Sequence, residues 1–258
     1  MTTLNEQQRE HFNAIAERYR AAREGENHLE LKRLMWTEFF RDKPGLKGRR
    51  LSVLDAMCGY ADAYGMLREQ LGADIDYTGL DYSDEVISRV RREKPGLRVA
   101  HADVTAFTAE RTYDLVVVLG GLHHVRHQAA DTVRRLATAV RPGGWFLSLE
   151  PTHGNPVFAT VRERIYRRNT LFDAESERDF SVAELRKTFT DAGFTLADIM
   201  YPGLLAYVLY YNPDAFPRLN LGSPAAVRTL FAAERPFLRT APAQLLSFAT
   251  ISLWRKPA

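Results

Sequence analysis

Five short apolar runs, separated by helical segments, occupy the middle of the chain and leave few ways to fold it. Leu51 to Asp55, Ile75 to Asp81, Leu97 to His101, Tyr113 to Leu119 and Trp145 to Leu149 each have strand length. Between them Ala61 to Leu71, a segment from Ser83 to about Lys94, and Ala129 to Val140 carry helical spacing. Ser83, with Glu85 behind it, predicts a helix N-cap. Strands that alternate with helices form a parallel sheet with right-handed crossovers. The unbroken run Asp114-Leu115-Val116-Val117-Val118-Leu119 predicts a strand covered on both faces. The fold class is therefore α/β, a doubly wound sheet.

The ends of the chain read differently. Phe12, Ile15, Ala16 and Tyr19 predict one helix, and His28 to Asp42 a second, with Gly25-Glu26-Asn27 between them. After Glu150 a helix is expected around Val157 to Arg168, and another from Ser181, whose Glu184 completes a capping box. Phe194 to Tyr201 and Leu246 to Trp254 read as closing strands. Two domains follow: residues 1–45, a helical cap, and 46–258, the sheet domain. Insertions at about 152–180 and 204–244 are expected to form a lid over a substrate.

Composition excludes several classes. Cys58 is the only cysteine among 258 residues, so no intrachain disulfide can form. Thirty-five basic residues against 32 acidic ones, interspersed, give a net charge of +3 and no dense basic face, so no nucleic-acid partner is expected. No apolar run approaches the ~20 residues of a membrane span. Met1 to Glu6 lacks the basic and apolar regions of a signal peptide, and a cytoplasmic location is expected.

The chemistry gathers at strand ends. Asp55-Ala56-Met57-Cys58-Gly59-Tyr60-Ala61 follows the first strand, where a glycine lets the backbone approach a ligand. Asp81 ends the second strand and Asp103 follows the third. Open α/β sheets bind ligands at the carboxyl ends of their strands. Each carboxylate alone could equally be a helix cap or a solvated loop acid. Their joint spacing, 26 residues and then 22, argues against that for the set.

These residues, with Leu122-His123-His124-Val125 after strand four and Pro142-Gly143-Gly144 before strand five, resemble the class I S-adenosylmethionine-dependent methyltransferases, small-molecule subgroup. The resemblance covers about residues 8 to 203 and 245 to 256. It implies a Rossmann-like, mostly parallel seven-stranded sheet with an antiparallel last strand, and S-adenosyl-L-methionine as cofactor. The family's turn is D-x-G-x-G-x-G; here Met57 and Ala61 replace its first and third glycines. Carried over, Gly59, Met57 and Tyr60 would face the methionine part of the cofactor, with Asp55 orienting the turn or meeting the methionyl ammonium. Asp81, with Tyr82 beside it, would hold the ribose. Asp103, Val104 and Leu119 would face the adenine side, and Tyr19 would close over the cofactor.

Methyl transfer requires alignment and, for a hydroxyl or carbon acceptor, removal of a proton. His123 and His124 are the catalytic candidates, with His123 favoured, although a packing role is as common for either alone. Glu150 is the next candidate; His153 reads better as a solvated loop residue. Trp36, Tyr207 and Tyr211 could line a substrate chamber, or pack in the core. Arg162, Arg164, Arg167 and Arg168 could hold an anionic group, or form a solvated basic face. The expected partner is a small-molecule acceptor, apolar or anionic, such as a prenyl or aromatic metabolite, modified at carbon, oxygen or nitrogen. A homodimer is compatible with the sequence, and no metal is expected. Alternatives are a nicotinamide-dependent oxidoreductase, whose G-x-G-x-x-G the turn fits less well, and a non-catalytic cofactor-binding protein.

Overall fold

The structure is a computed structural model; the description covers residues 20–21, 23–43, 45–72, 74–168, 179–213 and 217–258, without the side chains at 162, 163 and 165–168. The first expected helix, through Tyr19, lies outside the described residues. The second is α1 (Glu26–Phe40), which starts after Gly25.

The alternation predicted from the apolar runs is present. β1 (Leu51–Asp55), α2 (Asp62–Leu71), β2 (Ile75–Asp81), α3 (Asp84–Glu93), β3 (Arg98–His101), β4 (Tyr113–Leu119), α4 (Ala129–Ala139) and β5 (Val140–His153) follow in order. α5 (Pro156–Arg168), β6 (Phe180–Ser181), α6 (Val182–Asp191), β7 (Thr195–Met200), α7 (Leu205–Tyr210), α8 (Pro224–Glu234), α9 (Ala241–Leu246) and β8 (Ala249–Arg255) complete the chain. Seven strands run β3-β2-β1-β4-β5-β8-β7 across the sheet. β8 is antiparallel to both its neighbours; the other central pairings are parallel. The two-residue β6, absent from the sequence reading, pairs with β5 off this path.

The alternating side chains of the sheet divide the core. Val53, Leu115, Val117 and Leu147 face α1, α2 and α3, where Leu31, Met35, Phe39, Leu67 and Val90 meet them. Leu54, Val116, Val118 and Phe146 face α4 and α6, where Val133, Leu136, Leu185 and Phe189 meet them. This double cover is why the β4 run has no polar face. Ser83 Oγ accepts from Val86 N, and Ser181 with Glu184 forms the predicted capping box.

Two boundaries differ from expectation. β5 is longer than Trp145 to Leu149, because Leu149, Glu150 and Pro151 continue pairing with Ile251, Thr250 and Ala249 of β8. The strand expected from Leu246 begins only at Ala249. Thr240 Oγ1 caps α9, and Pro242 in its first turn favours helix, leaving Leu245 and Leu246 exposed.

The insertion packs against α1 over the carboxyl ends of the strands. Asn27 Nδ2 donates to Asn220 Oδ1 at 2.9 Å, and Arg228 pairs with Glu30 at 3.1 Å. Buried Glu38 accepts from Arg41 and Arg239, and Arg239 also reaches Asp198 of β7. Among the described residues, no helix is long and apolar enough to cross a membrane.

Candidate active site

The register of the sheet brings the acidic strand ends together. Asp55 pairs with Gly79, so Asp81 stands two residues further along β2, opposite His101 at the end of β3. A cavity of about 210 Å³ opens over these ends. Asp55, Met57, Gly59, Tyr60, Asp81, Tyr82, Asp103, Val104 and Leu119 all border it. Tyr19 lies outside the described residues.

The β1 turn is built on hydrogen bonds rather than glycines. Gly59 N donates to Asp81 Oδ2 at 2.8 Å, and Cys58 N to the Leu80 carbonyl at 2.8 Å. Gly59 has φ 49° and Ala61 φ 58°. Alanine at 61 is thus not neutral: a left-handed L-residue carries roughly 1 kcal/mol of strain. Met57 does not obstruct the turn. It fills the space beside Gly121, where an added Cβ would lie 2.5 Å from its sulfur.

The three carboxylates differ. Asp81 also accepts from Ser83 N at 3.0 Å, yet burial holds its carboxyl above the usual carboxylate range. Asp103 Oδ1 accepts from Thr105 N and Oγ1, so this residue is both a cap and a cavity wall. Asp55 is 2% exposed and accepts from Tyr77 OH at 2.6 Å. Burial pushes its pKa up to about 7, opposed by the Tyr77 bond and reinforced by Asp81 and Asp62.

That shift has a sign. Between about pH 4 and 7 the folded protein holds a proton on Asp55 that the unfolded chain has released, so the Asp55 contribution to stability falls as pH rises through this window. Asp55→Asn keeps an acceptor for Tyr77 and removes the titration. It is expected to raise stability by about 1–3 kcal/mol at pH 8 and to change little near pH 4. Thermal unfolding at both pH values checks this; an equal shift at both would contradict it.

The segment after β4 holds the two histidines. Leu119 pairs with Leu149, which sets Glu150 beside the turn at 120–123. The Glu150 carboxylate is fully buried and engaged by donors on both oxygens. Oε1 accepts from Gly121 N at 3.1 Å and Leu122 N at 2.9 Å. Oε2 accepts from His123 N at 3.3 Å and His123 Nδ1 at 3.0 Å. Glu150 therefore lies beneath the cavity wall and not on it. The His123 and His124 rings are 4.0 Å apart, and His124 borders the cavity while His123 faces Glu150. The sequence reading favoured His123; here the ring that borders the cavity is His124, while the buried Glu150 carboxylate engages His123.

The other expected residues separate. Trp36 and Tyr211 border the cavity, and Tyr207 stacks on Tyr211 at 4.2 Å without bordering it. Arg164 is exposed on α5 and does not border the cavity; the Arg168 side chain is outside the described atoms. His153 pairs with Asp179 at 2.9 Å. Sequence reasoning missed Arg23, His28, Lys32 and Asp62, all cavity residues. A signal existed: His28, Lys32 and Trp36 recur every four residues, one stripe of α1, beside the apolar stripe Leu31, Met35 and Phe39.

The donor set fits a cationic nucleoside: four carboxylates border the cavity, one of them almost fully buried and short of a charged partner in direct contact. Comparisons agree. Residues 53–144 match the methyltransferase-domain family model. Demethylmenaquinone methyltransferase of Listeria welshimeri is 26% identical over 168 residues, 56% of this chain and 70% of that protein. A chain from the complex of the Haloferax volcanii Trm112 methyltransferase activator with a methyltransferase superposes with TM-score 0.63 at 18% identity, covering 96% of this chain and 98% of its own. The cyclopropane synthase MmaA2 from Mycobacterium tuberculosis gives 0.58 at 16%, covering 84% and 83%. The strand order, the acidic strand ends and the matched segment lead to one conclusion: residues 53–144 carry a methyltransferase domain, set in the fold shared with S-adenosylmethionine-dependent methyltransferases.

Proposed function

We propose that this enzyme methylates a small hydroxyaromatic acceptor of the phenol or quinol type, at carbon or oxygen, with His124 as general base. The observation that carries the reading is that His124 and the aromatic side chains of Trp36 and Tyr211 border one cavity. Leu119, Val125 and Leu149 add apolar surface to a lining that also carries Arg23, Lys32 and Asp62. The Listeria relative, by its name, acts on demethylmenaquinone, which supports an aromatic acceptor.

Bound S-adenosylmethionine supplies the electrophilic methyl group. Asp81 is the residue to hold the ribose hydroxyls, Asp103 and Val104 the adenine edge, and Asp55 the methionyl ammonium. A cation beside Asp55 favours its ionised form, so binding releases a proton near neutral pH. The ring of His124 takes the acceptor's proton, at the hydroxyl or at the carbon that gains the methyl. Glu150 positions this segment through the N–H groups of 121–123 and fixes the His123 ring. α1 and the 204–244 insertion, tied together by Asn27, Glu30 and Glu38, act as the lid that excludes water.

The test is incubation with S-adenosylmethionine and either 1,4-naphthoquinol or 1-naphthylamine, with mass detection of the product. A one-methyl gain on the naphthoquinol and none on the amine is expected. Transfer to the amine alone would overturn the reading.

A further inference from the structure

We infer that His28 is a specificity-determining residue: its Nε2 accepts a hydrogen bond from a hydroxyl or N–H of the methyl acceptor. This deepens the proposed function and rests on it. His28 belongs to α1, is 2% exposed and borders the cavity. Its Nδ1 lies 2.8 Å from the Tyr211 carbonyl. A carbonyl oxygen can only accept, so Nδ1 carries the proton. In a neutral imidazole the lone pair then belongs to Nε2.

Burial, with Lys32 and Arg23 nearby, lowers the His28 pKa to about 4, so the ring stays neutral at physiological pH. Nε2 has no hydrogen-bond partner among the described residues. The ring borders the cavity, so a ligand donor can reach Nε2 there and gain a hydrogen bond that the protein leaves unmade. The ring is also held in place. Tyr211 sits 5.2 Å from it, tilted by 51°, and Tyr207 stacks behind Tyr211. His124 borders the same cavity from the sheet, so an acceptor in it meets one imidazole from the sheet and one from the cap. A site with such an acceptor discriminates against analogues that lack the matching donor.

The probes are 1-naphthol and naphthalene, titrated by ligand-observed NMR into protein loaded with S-adenosylhomocysteine. Wild type is expected to prefer 1-naphthol by about tenfold. His28→Asn retains a donor near the Nδ1 position and lacks the ε acceptor; it should lose that preference. His28→Gln offers an acceptor near the ε position and should keep part of it. S-adenosylhomocysteine affinity should be unchanged in both. A wild type without preference, or a preference that survives His28→Asn, overturns the inference. So does loss of the preference together with cofactor affinity in both variants, which marks a structural role. Failure of wild type to bind S-adenosylhomocysteine would instead sink the methyltransferase reading beneath it.

Discussion

Glu150→Ala is expected to lower the unfolding free energy by about 3–5 kcal/mol, the usual loss when one side of a buried charged network is removed. The carboxylate is fully buried and receives hydrogen bonds from three backbone N–H groups and one imidazole. Alanine leaves those donors without the carboxylate they now share. Glu150→Gln keeps the shape but turns an amide nitrogen toward donors, so a smaller loss of the same sign is expected. Urea unfolding measures both. A loss below about 1 kcal/mol for the alanine variant would contradict the account, since even one orphaned buried donor costs that much.

The second large effect is on turnover. His124→Ala is expected to slow methyl transfer by about 10²–10⁴-fold, the usual share of a general base. In the proposed role the imidazole serves the acceptor, so cofactor affinity should change less than the chemical step does. His123→Ala should act differently: its ring is bound to Glu150, so stability falls more than the chemical step does. Single-turnover rates between pH 6 and 9 separate the two. If His124→Ala stays within about tenfold of wild type, under one base's typical share, the base is elsewhere.

Much of this was legible in the residues. The β4 run announced a strand buried on both faces, and Asp55, Asp81 and Asp103 announced an acidic edge, because the strand period and the parallel register leave them nowhere else to go. Ser181 and Glu184 marked their helix start to the residue. What stayed hidden depends on long-range pairing. Glu150 read as a further catalytic candidate at the cavity mouth, and only the register of β4 with β5 shows that it lies under the turn at 120–123. His123 and His124 are adjacent and chemically identical, and only that carboxylate tells them apart. Met57 read only as a replaced glycine because its partner, Gly121, is 64 residues away. His28 was missed since a cap helix reveals its inner stripe only once the sheet beneath it is known.

The central claim is that the acidic strand ends hold the methyl donor, and Asp81 is the residue on which it turns. Calorimetric titration of S-adenosylhomocysteine into wild type and Asp81→Ala measures this directly. One molecule should bind per chain, and the substitution should weaken binding by about 5- to 150-fold, the loss of about 1–3 kcal/mol for an unpaired buried hydrogen-bonding group. Equal affinity in the two proteins, or no binding to wild type, would contradict the claim.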